Sequence, residues 1–134
     1  MKKILIHSLT FPPDTISTGM IVSEIADGLN KELNNIEVLA SSPQYNLKST
    51  QEYNQNDKNI SVGMFKGIKV HYIESNPRQF SNSSRFFQWL GFNFKAIRFI
   101  YKNRKDYNEI LFFSYPPTMN LVCIFRTNIL KINR

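Results

Sequence analysis

Lys3-Ile4-Leu5-Ile6-His7-Ser8 opens the stretch that decides the fold. Leu9-Thr10-Phe11-Pro12-Pro13-Asp14-Thr15-Ile16, then Ser17-Thr18-Gly19 and the run on to Ala40, complete it. Ile4, Leu5 and Ile6 are consecutive and apolar, which predicts a short buried strand over Lys3–Ser8. The two prolines bar a helix in the loop that follows. Ser17-Thr18-Gly19 reads as a helix start with a hydroxyl cap. Val22, Ile25, Ala26, Leu29 and Leu33 then recur at helical spacing, with Ser23, Glu24, Asp27, Asn30 and Lys31 on the other side. Asn34-Asn35 closes the helix, and Glu37–Ala40 reads as a second short strand. Strand, loop, helix and strand in this order form a βαβ unit, with parallel strands and a right-handed crossover.

The rest of the chain extends this plan. Ser42–Ser61 is polar without an apolar period and reads as a long exposed loop. Lys66-Gly67 marks a tight turn into a strand over Ile68–Glu74, where Ile68, Val70 and Tyr72 alternate with Lys69 and His71. That alternation predicts a half-exposed strand with His71 at the surface. Ser83–Tyr107 is the longest helical candidate. Phe86, Phe87, Leu90, Phe94, Ile97 and Tyr101 share the side expected to pack on a sheet, widened by Trp89, Ala96 and Ile100. Lys95, Arg98 and Lys102 fall opposite, with Phe92 and Phe99 toward them. Ile110-Leu111-Phe112-Phe113 fits a fully buried parallel strand, Tyr115-Pro116-Pro117-Thr118 breaks it, and Met119–Ile132 begins another helix. The fold class is α/β: a Rossmann-like parallel sheet with flanking helices, interrupted where a doubly wound sheet would continue.

The chain has 134 residues, room for one domain, with 42% apolar and 13% aromatic residues, enough for a core. No apolar run is long enough to span a bilayer or to serve as a signal peptide. Cys123 is the single cysteine, so no intrachain disulfide or cysteine metal cage forms, and the expected compartment is the cytoplasm. The net charge of +7 is uneven. Residues 1–77 carry seven Lys/Arg against eight Asp/Glu; residues 78–134 carry ten against two. That asymmetry points to an anionic partner on the second part, or to a solvated basic face.

Ligands of open parallel sheets bind beyond the carboxyl ends of the strands. His7-Ser8, Ser41-Ser42-Pro43 and Ser114-Tyr115-Pro116-Pro117 are expected there. Neither a G-x-G-x-x-G fingerprint nor a P-loop is present, which argues against nicotinamide or flavin enzymes and P-loop ATPases. Ser17, Thr18 and Gly19 form either a phosphate seat on a helix N-terminus or a plain cap. His7 is open to two readings, a ligand contact or a hydrogen-bonded structural histidine. No His, Asp or Glu cluster has metal spacing, so no metal and no cofactor are expected.

Ile4-Leu5-Ile6, Phe11-Pro12-Pro13-Asp14, Ser17-Thr18-Gly19 and Ser23-Glu24-Ile25-Ala26-Asp27-Gly28-Leu29 together resemble the start of a family 4 glycosyltransferase of GT-B architecture. Val38-Leu39-Ala40-Ser41-Ser42-Pro43-Gln44-Tyr45-Asn46 is similar to the turn and Pro-x-Tyr-Asn segment after the second strand in its bacterial polysaccharide branch. Phe112-Phe113-Ser114-Tyr115-Pro116-Pro117-Thr118 looks like its Ser-x-Pro-Pro segment. The resemblance covers nearly all of residues 1–134 and implies the N-terminal, acceptor-side domain, incomplete, with the donor-binding domain absent. Asn34-Asn35-Ile36 departs from the family's Gly-His turn. The implied reaction moves a sugar, with retention and without a metal, from a nucleotide sugar to a lipid-linked or saccharide acceptor in surface polysaccharide synthesis. Ser17, Thr18 and Gly19 would approach the donor phosphates; His7, Tyr45, Asn46, Ser114 and Tyr115 would line the acceptor cleft. The isolated chain is expected to be inactive and marginally stable.

Two other classes compete. One is a non-enzymatic basic module bound to a membrane or to a partner by the helix Ser83–Tyr107; on an anionic membrane surface, at the inner face of the cell membrane, it would use Phe92, Lys95, Arg98, Phe99 and Lys102. The other is a nucleic-acid binder; its aromatics would sit on a helix rather than an exposed sheet, so no nucleic-acid partner is expected.

Overall fold

The computed structural model describes residues 3–12, 17–33, 35–42, 54–57, 60–74 and 82–113. Its elements are β1 (Ile4–His7), α1 (Ser17–Leu33), β2 (Ile36–Ser41), β3 (Asn54–Asp57), β4 (Ile60–Phe65), β5 (Ile68–Ile73), α2 (Asn82–Lys102) and β6 (Glu109–Phe112). They form an α/β, Rossmann-like arrangement: one sheet in the order β3-β4-β5-β2-β1-β6, with two helices. β6, β1, β2 and β5 run parallel, in registers that set Ile4 beside Ile36 and Glu109, and Val38 beside Val70. β4 joins β5 antiparallel, and β3 joins β4 the same way.

Strand parity sorts the core into two halves, because successive side chains point to opposite faces. Ile4, Ile6, Val38, Ala40, Ile68, Val70 and Tyr72 pack with Val22 and Ala26 of α1, closed by Phe11. Leu5, Leu39 and Ile73 pack with Phe92, Ala96, Phe99 and Ile100 of α2, beside Tyr107 and Ile110. A strand covered on both faces needs apolar residues at every position, which Ile4-Leu5-Ile6 supplies.

Four expectations are corrected. The loop over Ser42–Ser61 ends early, since residues 54–57 and 60–65 form a hairpin. Ladder hydrogen bonds come from the backbone, so the polar run Asn54–Asp57 can pair without an apolar period. β5 is not half exposed: only Lys69 faces water, because α2 covers the face that His71 occupies. The second helix stops at Lys102, where the Asn103 backbone N–H and side-chain amide both donate to the Phe99 carbonyl, at 3.0 and 2.9 Å. β6 is not fully buried; Ile110 is, but Leu111 is 40% exposed.

The turn at Lys66-Gly67 forms as expected, with φ of 47° and 79°. Positive φ at both central residues is the hairpin geometry whose twist matches the flanking strands.

Candidate functional site

Four parallel strands end on one rim. The Ser8 N–H donates to the Leu39 carbonyl, Ser41 N–H to Leu9, Ser42 N–H to Ile73 and Phe113 N–H to His7, all within 2.8–3.2 Å. These bonds carry the ladder beyond the strands and fix the chain that leaves each one. The Ser8 hydroxyl donates to the Thr10 carbonyl at 2.9 Å, and the Tyr72 hydroxyl to the Pro12 carbonyl at 2.5 Å. Phe11 is buried edge-on to Phe65, ring centroids 5.2 Å apart. The segment from β1 toward α1 is thus held at both ends.

α1 joins two parallel neighbours, β1 and β2, so it runs back along the sheet and starts at this rim. Ser17 is exposed, Thr18 half-buried and Gly19 buried there. The first turn of α1 holds no acidic residue, so the helix itself supplies no carboxylate to the positive end of its dipole. The three residues of the expected phosphate seat are therefore together on the α1 side of the rim.

His7 lies elsewhere. Its parity puts it on the α2 side, fully buried, stacked on Phe92 at 5.5 Å and edge-on to Phe112 at 5.6 Å. Burial draws its pKa from 6.5 down to about 4, offset only in part by the Leu39 backbone. Neither ring nitrogen has a hydrogen-bond partner of good geometry; nor do the Thr10 hydroxyl and the Asn93 amide, both also buried. Each such group costs about 1–3 kcal/mol. Sealed between rings, His7 meets no solvent and does not join Ser17–Gly19. Tyr45, Asn46, Ser114 and Tyr115 lie outside the described residues.

The membrane reading of α2 is corrected in its rings. Phe92 and Phe99 are 2% and 8% exposed and belong to the core, with Phe99 tilted against His71 at 4.8 Å. Phe86, Phe87, Phe94 and Tyr101, expected on the sheet, face solvent instead. Lys95 is half-buried and donates to the Glu74 carbonyl at 3.0 Å; Arg98 and Lys102 are exposed.

A second polar constellation escaped the sequence reading. Glu37 occupies an α2-side position of β2, near the strand starts. His71 Nε2–H donates to its Oε2 at 2.8 Å and the Tyr107 hydroxyl to the same oxygen at 2.5 Å. Lys3 Nζ meets Oε1 at 2.6 Å and stands 5.3 Å from the Tyr107 ring centroid. Burial pushes the Glu37 carboxyl up, but His71, Lys3 and Tyr107 outweigh it and hold the pKa at about 2. Burial and the Glu37 charge push the Tyr107 phenol well above its ordinary value. Both carboxylate oxygens are engaged, so the cluster is a strut tying β1, β2, β5 and the chain after α2. A charged residue inside an apolar strand was its signal, with His71 at matching parity. Among the described residues no group of three or more His, Cys, Asp or Glu could hold a metal ion, and no helix is long and apolar enough to cross a membrane. No protein-family model, curated protein or solved structure matches the chain.

Proposed function

We propose that the chain is the acceptor-side part of a retaining family 4 glycosyltransferase. It would move a sugar from a nucleotide sugar to a lipid-linked or saccharide acceptor in surface polysaccharide synthesis. The observation that carries the reading is the start of α1 at the strand-end rim, with Gly19 buried and no acid in the first turn. Backbone amides and the helix dipole suit that point to an anion, and the chain leading to it is pinned by Tyr72. The resemblance of Phe11-Pro12-Pro13-Asp14 and Ser17-Thr18-Gly19 to the family supplies the sugar chemistry. In this reading the chain works in the cytoplasm, at the inner face of the cell membrane.

The grip on nucleotide and sugar falls to a second domain in this reading, so the assay uses the protein with that domain attached. It is offered a panel of nucleotide sugars with lipid-linked and saccharide acceptors, and nucleotide release is followed. Release should depend on acceptor. Gly19→Val should raise the donor KM by about tenfold or more, because a side chain there intrudes between backbone and phosphate. An unchanged donor KM makes Ser17–Gly19 a plain cap, and no turnover with any donor overturns the reading.

A further inference from the structure

We propose that the outward face of α2 docks on an anionic membrane surface. The inference stands apart from sugar transfer and does not need it. α2 carries two apolar faces. The inner one, Phe92, Ala96, Phe99 and Ile100, is spent on the core. The outer one is a line of rings seven residues apart: Phe87, Phe94 and Tyr101, exposed by 69%, 71% and 54%. Phe86 extends the line, edge-on to Phe87 at 6.0 Å. A helix kept in place by its inner face has no structural use for rings on the other, and aligned exposed rings mark a contact surface.

Charge selects the occupant. α2 holds Arg85, Lys95, Arg98 and Lys102 and no Asp or Glu. Arg98 and Lys102 are exposed on one flank of the ring line. At its end the Arg104 guanidinium lies 4.5 Å from the Tyr101 ring centroid and donates to the Tyr101 carbonyl at 2.8 Å. A second copy would set these cations against its own, which opposes pairing. A partner helix would need a seam two residues wide. Here Leu90 and Ile97, the intervening positions, are both half-buried, and Ile97 packs against the core, so the face is a narrow ridge. A soft headgroup layer accepts a ridge: the rings enter the acyl boundary while the cations stay with lipid phosphates. α2 is not apolar enough to cross a membrane, so it lies flat.

The test is co-sedimentation of the whole chain with vesicles of phosphatidylcholine alone, or mixed with phosphatidylglycerol. The chain should pellet with the mixed vesicles, far less with the neutral ones, and be released by high salt. Phe87→Ser with Phe94→Ser should weaken binding by about tenfold or more. Arg98→Gln and Lys102→Gln should each weaken it on the order of fivefold, on anionic vesicles only. Circular dichroism checks that every variant keeps its helix content. Because both charge variants lie on the surface, they test the proposal even where the double Ser variant misfolds. Equal pelleting with both lipids, none with either, or variants that bind like the parent overturns it. So does a lipid-free dimer that Phe94→Ser converts to monomer without any vesicle binding, which assigns the face to a second copy.

Discussion

Glu37 is a carboxylate at a core-facing position, and three donors make that position tenable: His71, Tyr107 and Lys3. Removing the charge leaves their hydrogen bonds weakened inside the protein. Glu37→Gln should therefore lower unfolding free energy by about 2–4 kcal/mol in urea titration. The same residue sets an acid limit. Its folded pKa of about 2 lies below the ordinary 4.5, so its contribution is full above pH 4.5 and is lost as pH falls toward 2. His7 acts earlier. Its folded pKa is about 4 against 6.5, so below pH 6.5 the unfolded chain takes up a proton that the folded chain refuses until about pH 4. Stability should fall in two overlapping stages on acidification, and His7→Leu should flatten only the upper one. A single decline confined below pH 4.5 would show that His7 is hydrated in the folded protein. Only the charge of Glu37 inside an apolar strand hints at this network in sequence; Lys3, Glu37, His71 and Tyr107 are separated by long stretches, and register brings them together.

At the scale of elements, α2 shows where periodicity stops being informative. Its type and its start follow from the sequence, though not its end at Lys102, and apolar residues surround most of the helix, so two opposite faces fit a sheet equally well. Bulk favoured Phe87, Phe94 and Tyr101; the structure instead buries Phe92, Ala96 and Phe99, where small Ala96 lets the helix approach the strands. The glycines give a sharper test of element chemistry. Gly28 and Gly91 lie inside α1 and α2, and an added Cβ meets nothing within 4 Å. Gly67 is equally unobstructed but has φ of +79° in the β4–β5 turn. Gly28→Ala and Gly91→Ala should each stabilise by about 0.5–1 kcal/mol, through lower backbone entropy in the unfolded chain. Gly67→Ala should destabilise by about 1 kcal/mol through backbone strain alone. Thermal melts of the three variants check the signs; a shared sign would mean that local conformation does not govern these sites.

Across the whole molecule, the βαβ unit and the parallel pairing of β1 with β2 follow from what the sequence declares openly, unbroken apolar strands and a long crossover, whereas the order β6-β1-β2-β5 emerges only in the structure. The β3–β4 hairpin did not announce itself, since a polar edge strand draws its cohesion from backbone pairing. Charge is the remaining global property. The net +7 comes from residues 78–134, which include all of α2, while residues 1–77 are nearly balanced. At low ionic strength those cations repel one another and oppose the compact state. Salt shortens the reach of that repulsion from about 30 Å at 0.01 M to about 3 Å at 1 M. The melting midpoint should therefore rise with added sodium chloride, by roughly 4 °C for each kcal/mol of repulsion relieved. Anionic vesicle binding draws on the same cations and should fall over the same range. One salt titration read by two methods thus gives opposite signs. A midpoint that falls instead would mean that attractive pairs, Lys3–Glu37 and Lys31–Asp27 among them, outweigh the repulsion, and the basic excess would then carry no cost to folding.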